Sequence, residues 1–366
     1  MADSLHSAIV EAALKKVVEC RHLSRDEAHS VMEDIMSGNA HDVQIAAFLA
    51  ALRMKGETVE ELIGFASVIR GRATAIWADK SVAAAITGTG REALVDTCGT
   101  GGDASETFNV STATAFVAAG AGLRVAKHGN RSVSSLCGSA DVVEALGINI
   151  QLPPFQVALC IDEVGIGFLY APLLHSAMKA VMPARREMKI RTVFNMLGPL
   201  TNPAGASSQV VGVYAPQLTE PLAHVLKELG TQRAFVVHGA DGLDEISNTG
   251  PTRVSEVRNG NVRTYEVTPE DFGLPRSEIE DLKGGTPREN ADLILGVLRG
   301  EKGARRDIVL MNAAAAIVAG DRAKDFREGV RAAAEAIDSG AASRKLNALA
   351  EFSQRAAVGE RVRESG

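Results

Sequence analysis

The sequence predicts an α/β protein: a small all-helical domain, then a larger α/β domain with a mainly parallel central sheet flanked by helices. Three observations predict it. Residues 1 to about 75 carry only helical periodicity, and from Gly90 onward short apolar strands alternate with helices. The early strands also run directly into glycine-rich or donor-rich loops, the places where parallel sheets bind ligands.

Taken in order, Ile9, Leu14, Val17 and Val18 recur at helical spacing. Ser24 and Glu27 form a capping box, in which hydroxyl and carboxylate satisfy each other's orphan amides, and this helix stops at Gly38. A third helix over 43–54 ends at Gly56. A second capping box, Thr58 to Glu61, precedes Leu62, Phe65 and Ile69. Beyond Gly90, a strand over 94–98 enters the loop 99–103, a helix covers 111–121, and a second strand covers 123–126. A loop over 127–139 then leads to a helix over 140–146. From Pro153 to about Arg191 the pattern reads as helical, through 155–163 and 173–182, and is assigned back to the helical domain. Strands follow at 209–214 and 234–238 around a helix over 221–229. A hairpin turns at Asn259-Gly260, a favoured two-residue turn, and the chain from Asn290 onward is Ala-rich and helical. The expected division is residues 1–90 with about 153–192 as the helical domain, and 91–152 with about 193–366 as the α/β domain.

The chain has 366 residues, with 39 Lys and Arg against 45 Asp and Glu, a net charge of −6. That mild acidity argues against nucleic acid as a partner, which calls for a strongly basic domain, yet leaves room for a small anionic substrate. Aromatics are only 4% while Gly numbers 35, so the interior is built from Ala, Val, Leu and Ile. Cys20, Cys98, Cys137 and Cys160 are scattered, with no C-x-x-C spacing, which excludes a zinc or redox motif and a disulfide framework. Charges at Asp3, Glu11, Lys15 and Lys16 leave no secretory apolar core, and the uncharged stretch 110–123 is too short and too rich in Ser and Thr to span a bilayer. The expectation is a cytoplasmic, reduced, soluble protein with no membrane partner.

Three loops carry the chemistry. Gly99-Thr100-Gly101-Gly102-Asp103 follows a strand, and its glycines let backbone amides approach an anion. Asn109, Ser111 and Thr112 open the next helix, whose free amides favour phosphate. The bland alternative is a tight turn and a helix cap. Gly99-x-Gly101-x-x-Ala104 also matches a dinucleotide fingerprint. Against it, Asp103 would face a bare pyrophosphate, the helix begins several residues later, and the second strand ends in Lys127-His128 rather than an acidic residue. The second loop, Lys127-His128-Gly129-Asn130-Arg131-Ser132-Val133-Ser134-Ser135, packs two cations, an imidazole, an amide and three hydroxyls into nine residues. The third, Gly239-Ala240-Asp241-Gly242-Leu243-Asp244-Glu245, supplies adjacent carboxylates that suit Mg²⁺, an ion completed by water and substrate phosphates. Together they suggest an Mg²⁺–diphosphate substrate.

With these motifs the chain resembles the anthranilate phosphoribosyltransferase family over nearly its whole length. The resemblance is carried by residues 99–103, Thr107-x-Asn109-Val110-Ser111-Thr112, residues 127–135, Gly138-Ser139-Ala140-Asp141, Asp244-Glu245, and residues 185–203. The last of these ends in Asn195-Met196-Leu197-Gly198-Pro199-Leu200-Thr201-Asn202-Pro203. Pyrimidine nucleoside phosphorylases share the fold but carry a Lys-Ser glycine loop that is absent here. The resemblance implies transfer of phosphoribose from phosphoribosyl diphosphate to the amine of anthranilate, releasing diphosphate, a step of tryptophan biosynthesis. It implies donor contacts at Gly99, Gly102, Asp103, Thr107, Asn109, Val110, Ser111, Thr112, Lys127, His128, Gly129, Asn130, Arg131, Ser132, Val133, Ser134, Ser135 and Ser139. It places anthranilate at Gly99, Asn130 and Arg185, and Mg²⁺, two ions per subunit, at Ser111, Asp244 and Glu245. It also implies a homodimer joined through the helical domains. An aryl amine needs no prior deprotonation, so no acid/base residue is assigned, and His128 is expected to donate a hydrogen bond or to pack. The anthranilate carboxylate suits the planar guanidinium of Arg185, with Arg186 a solvated helix cation. Leu136-Cys137 stands where several relatives carry Lys-Ser, and Cys137 reads as a packed loop residue. The competing reading is a non-catalytic, nucleic-acid-binding paralogue, which the complete motif set and the negative charge oppose.

Overall fold

The computed structural model describes residues 7–77, 94–101, 106–132 and 136–364. The expected donor residues Gly102, Asp103, Val133, Ser134 and Ser135 lie outside the described residues.

The chain begins with four helices, α1 (Ala8–Val18), α2 (Arg25–Met36), α3 (Asp42–Lys55) and α4 (Val59–Arg72). Both capping boxes form where the spacing predicts them. Glu61 does more than cap. It is wholly buried, and its carboxylate accepts from Thr58 N at 2.8 Å, Leu23 N at 2.9 Å and Lys55 Nζ at 2.9 Å, so a charge that burial would penalise is fully paired. Helix α2 crosses α4 at close approach. The crossing depends on Gly64, where an added Cβ would lie 2.5 Å from Arg25 O and 2.8 Å from Ala28 Cβ.

The rest of the chain builds one seven-stranded sheet. Its elements are β1 (Leu94–Gly99), α5 (Val110–Gly120), β2 (Arg124–Gly129), α6 (Ser139–Ala145), α7 (Pro154–Leu159), β3 (Ile166–Tyr170), α8 (Ala171–Leu174), α9 (Met182–Met188), α10 (Val193–Leu200), β4 (Ser208–Gly212), α11 (Thr219–Glu228), β5 (Arg233–Gly239), β6 (Thr252–Arg258) and β7 (Asn261–Val267). The helices α12 (Pro269–Phe272), α13 (Pro287–Leu298), α14 (Ala304–Ala319), α15 (Phe326–Asp338) and α16 (Ala341–Glu364) complete it. The strand order is β3-β2-β1-β4-β5-β6-β7, parallel from β3 to β5 and antiparallel for the last two. The β6–β7 hairpin turns at Asn259 and Gly260, both at positive φ, as a two-residue turn of this type requires.

One segment differs from expectation. Residues 153–192 were read as an all-helical return, but β3 lies within them, paired in parallel with β2. Its Ile166-Gly167-Phe168-Leu169 run is buried, so it shows no alternation, and periodicity cannot separate such a strand from a buried helix. The return to the helical core comes later, with Val181, Ala184, Val193, Phe194, Met196, Leu197 and Leu200.

Strand alternation gives the two sheet faces to two cores. Val210, Phe235 and Val237 join the core built on α5 and α14, while Val211, Val213, Ala234 and Val236 join the helical-domain core. The low aromatic content finds its use in the first of these. Ala313, Ala314, Ala315 and Ala316 of α14 are all fully buried beside the Ala-rich α5, so small side chains let the helices approach closely.

Gly64→Ala should therefore force α2 and α4 apart and lower stability by about 1–3 kcal/mol, the usual cost of overpacking. Urea unfolding should show this as a lower midpoint with an unchanged slope. An unchanged midpoint would show that the crossing has slack.

Candidate active site

The C-terminal ends of β1 and β2 and the chain after β5 meet at one edge of the sheet. Asp244 lies across the end of β1, and its Oδ2 accepts from Gly101 N at 3.0 Å. Only glycine permits this approach. A Cβ on Gly99 would sit 2.5 Å from Asp244 Oδ2, and one on Gly212 would overlap the Asp244 carbonyl. The loop is further held by Thr100, whose N donates to Gly212 O at 2.9 Å and whose Oγ1 accepts from Tyr214 N at 3.0 Å.

Lys127 arrives from β2. It is buried, and its Nζ donates to Thr97 O at 2.6 Å and Ser111 Oγ at 3.3 Å, while Thr97 Oγ1 donates to Ser111 O at 2.9 Å. Burial pushes the Lys127 ammonium down, and the charges of Asp96 and Glu245 oppose that shift. Ser111 thus bonds to Lys127, Gly99 lies against Asp244, and the Glu245 charge is near enough to act on Lys127.

Close to Lys127 lies Asp96, a residue the sequence reading passed over. It is fully buried; Oδ1 accepts from His128 N at 3.1 Å and Oδ2 from Asn202 Nδ2 at 2.7 Å. Asn202 also donates to Ala126 O at 2.9 Å and accepts from Ala204 N at 2.8 Å. The available signal was a lone carboxylate inside an otherwise apolar strand.

The second loop is braced by its own residues. Asn130 N donates to Ser139 Oγ at 3.2 Å, Ala140 N to Asn130 O at 3.1 Å, and Arg131 N to Asn130 Oδ1 at 2.7 Å. Gly129 is needed because a Cβ there would strike Ser139 Oγ and the Phe168 ring. The Arg131 guanidinium pairs with Asp141 at 2.8 Å and Glu144 at 2.6 Å, so it stiffens the loop rather than presenting a free cation. Val110 and Thr112 turn their side chains into the core, and their N–H groups donate to Phe108 O at 2.7 Å and Asn109 O at 3.1 Å. Thr107 bridges to Lys283, placing the strip 106–108 against 282–284. Cys137 is buried, and burial pushes its thiol up to about 11, far from a reactive thiolate.

Arg185 stands on α9, half-buried, with its guanidinium 5.2 Å from the Phe194 ring centroid. Burial lowers its pKa, and among the described residues no carboxylate pairs with it. A desolvated guanidinium without a counter-charge suits a planar carboxylate ligand. Arg186 is exposed, as a solvated helix cation should be. His128 and His175 pack with ring centroids 5.2 Å apart. Burial drives His128 to about 3, helped by the neighbouring His175, which burial itself lowers to about 4. Both rings are neutral near pH 7.

Two family models match the chain: the helical bundle domain of the glycosyl transferase family over residues 11–73, and its a/b domain over residues 91–343. Anthranilate phosphoribosyltransferase of Symbiobacterium thermophilum is 56% identical over 346 residues, covering 94% of this chain and 98% of that one. That of Pelotomaculum thermopropionicum is 55% identical over 352 residues, covering 96% and 99%. The chain belongs to the anthranilate phosphoribosyltransferase family. Its fold matches the solved family member from Thermus thermophilus with a TM-score of 0.85 at 42% identity, covering 93% of this chain and 99% of that one. It also matches the Saccharomyces cerevisiae member in complex with phosphoribosyl diphosphate and Mg, with a TM-score of 0.84 at 28% identity, covering 96% and 99%.

The residues present fit Mg²⁺. Asp244 and Glu245 offer hard oxygen ligands at the mouth of a phosphate-type loop, and Ser111 adds a hydroxyl. Among the described residues no three His, Cys, Asp or Glu side chains gather as a metal site. An ion held by Asp244 and Glu245 would need water and substrate phosphates to complete its shell, as Mg²⁺ commonly does.

The histidine pair makes stability depend on pH. Both folded pKa values lie below the ordinary 6.5, so the unfolded chain binds more protons between about pH 4 and 6.5. Stability is therefore complete above pH 6.5 and is lost as pH falls, by up to about 1.4 kcal/mol per pH unit for each ring. Urea midpoints measured from pH 7.5 to 5 should fall, and less steeply in His175→Asn. Parallel slopes for the two proteins would show that His175 does not carry the effect.

Proposed function

We propose that this chain transfers the phosphoribosyl group of 5-phosphoribosyl 1-diphosphate to the amine of anthranilate, giving N-(5-phosphoribosyl)anthranilate and diphosphate, in tryptophan biosynthesis. The observation that carries this reading is Asp244 lying on the Gly99–Gly101 backbone, which joins an acidic pair to a bare-backbone loop beside Lys127. Family membership and the solved relatives, bound to phosphoribosyl diphosphate and Mg in one case and to 4-fluoroanthranilate in another, support it.

The donor diphosphate lies against Gly99, Ser111, Lys127 and the amides opening α5, with Thr107, Asn109, Val110, Thr112, His128–Ser132 and Ser139 lining the same edge. The residues Gly102, Asp103 and 133–135 complete the expected set. Of the three Lys127 N–H groups, two go to Thr97 O and Ser111 Oγ, leaving one for the leaving group. Ser111, Asp244 and Glu245 would hold Mg²⁺, two ions per subunit, whose chemistry there would be neutralisation of charge on the diphosphate. Arg185 holds the anthranilate carboxylate, with Gly99 and Asn130 on the same substrate. The neutral amine attacks the ribose carbon as its bond to diphosphate breaks. The nitrogen then carries the surplus proton, which water accepts, so no side chain needs to act as base. Preorganised donors aimed at the leaving group supply most of the rate enhancement.

Dimerisation through the helical domains is supported by Ile9, Val18, Val43 and Met54, large apolar side chains exposed there. The free state of all four cysteines suits a cytoplasmic setting. Among the described residues no helix is long and apolar enough to cross a membrane.

Anthranilate fluorescence should fall only when phosphoribosyl diphosphate and Mg²⁺ are both present, and EDTA should stop the loss. A constant signal at high protein concentration would sink the reading. Arg185→Ala should raise the KM for anthranilate about tenfold or more, as expected for losing a charge-assisted contact, with little change in the KM for the donor. Equal effects on both substrates would remove Arg185 from the carboxylate site.

A further inference from the structure

We propose that Asn290 is a positioning residue for the donor site, fixing which atoms of the Asn109 amide face the substrate. The inference rests on the donor-site reading given above.

Asn290 lies on α13, 181 residues from Asn109, and is only 2% exposed. Its Oδ1 accepts from Gly285 N at 2.7 Å, and its Nδ2 donates to Asn109 Oδ1 at 2.9 Å. The same Asn109 oxygen accepts from Cys137 Sγ, which is nearer to it at 3.3 Å than to Gly138 O at 3.5 Å. Asn109 Nδ2 in turn donates to Cys137 O at 3.3 Å. A side-chain amide offers two acceptor lone pairs and two protons. Both lone pairs of Asn109 and one of its protons are therefore taken. What remains is a single N–H.

That arithmetic sets the polarity of the site. With its oxygen occupied from both sides, Asn109 can meet a ligand only as a donor, the polarity a phosphate oxygen demands. Asn109 is also the residue preceding α5, so its spare N–H stands at the positive end of that helix, where Val110 N and Thr112 N already bond to Phe108 O and Asn109 O. Were the amide turned over, its oxygen would face the anion instead. The partners that prevent this come from two other parts of the chain: Cys137 in the second donor loop and Asn290 at the start of α13. The packing around them leaves no slack. Phe108 N donates to Leu282 O at 3.1 Å and Gly284 N to Glu106 O at 2.9 Å. A Cβ on Gly284 would lie 2.5 Å from Asn290 Oδ1 and 2.8 Å from the Phe108 backbone.

The test is steady-state kinetics with each substrate varied, together with thermal melting, on the full chain and on Asn290→Asp, Asn290→Ala, Cys137→Ser and Cys137→Ala. Asn290→Asp keeps the volume and the acceptor for Gly285 but turns an oxygen toward Asn109 Oδ1. Asn290→Ala simply removes the donor. Both should raise the KM for phosphoribosyl diphosphate about tenfold, the scale of a charged hydrogen bond, with Asn290→Asp at least as affected. The kcat and the KM for anthranilate should stay within about threefold. Cys137→Ala should raise the donor KM a few-fold and Cys137→Ser, which keeps a donor, should restore it. If Asn290→Ala fails to fold, the two Cys137 variants report on the same amide from the other loop. Donor KM values within twofold of the unsubstituted chain, or losses shared equally by both substrates and following the melting temperature, would overturn the inference. Absence of turnover by the unsubstituted chain would overturn the donor-site reading first and this inference with it.

Discussion

A single buried carboxylate organises the sheet edge on which everything else depends. Asp96 has no contact with water, and an ionised group in that position costs several kcal/mol unless its lone pairs are filled. Each oxygen accepts one N–H, from His128 N near the end of β2 and from Asn202 Nδ2 in the chain before β4, and Cys98 adds a further hydrogen bond. Burial raises the Asp96 pKa, and the Lys127 ammonium pulls it back. Those contacts tie β1 to β2 and to the chain that leads into β4. They also explain why Lys127 stays beneath the site: the strand that carries it is anchored at its next residue.

From that anchor the site assembles by close approach of backbone. Asp244 can reach the β1 loop only because Gly99 and Gly212 lack side chains, and Ser139 can brace Asn130 only because Gly129 does. The same approach lets Thr100 N and Gly101 N bond to Gly212 O and Asp244 Oδ2, which fixes the loop after β1. Charge is distributed with similar economy. Among the described residues, Arg131 is consumed by Asp141 and Glu144, Lys127 keeps one N–H without a partner, and of the cations expected to bind only Arg185 has an unmatched guanidinium. In the proposed reaction the donor and acceptor sides therefore use different cations.

Much of this was legible in the sequence because the signals were local. Capping boxes at Ser24 and Thr58, the Asn259-Gly260 turn and the glycine run after β1 each depend on residues a few positions apart. What escaped had long-range causes. β3 is buried, so its apolar run showed no period, and it was read as helix. Asp96 resembles any polar residue in a strand until Asn202, 106 residues away, is seen to pair with it. Asn290 sits in an ordinary helix start, and only the folded chain brings it to Asn109. Arg131 looked like a free cation because its partners at 141 and 144 lie across a loop whose path sequence alone does not reveal.

The central claim is that the β1 and β2 loops and the Asp244-Glu245 pair form one Mg²⁺-dependent donor site. Titration calorimetry of phosphoribosyl diphosphate into the full chain tests it most directly. Saturable binding in Mg²⁺ that disappears in EDTA and weakens in Asp244→Asn is the expected result. Binding indifferent to both the ion and Asp244 would contradict it, because the donor would then have to sit elsewhere on the molecule.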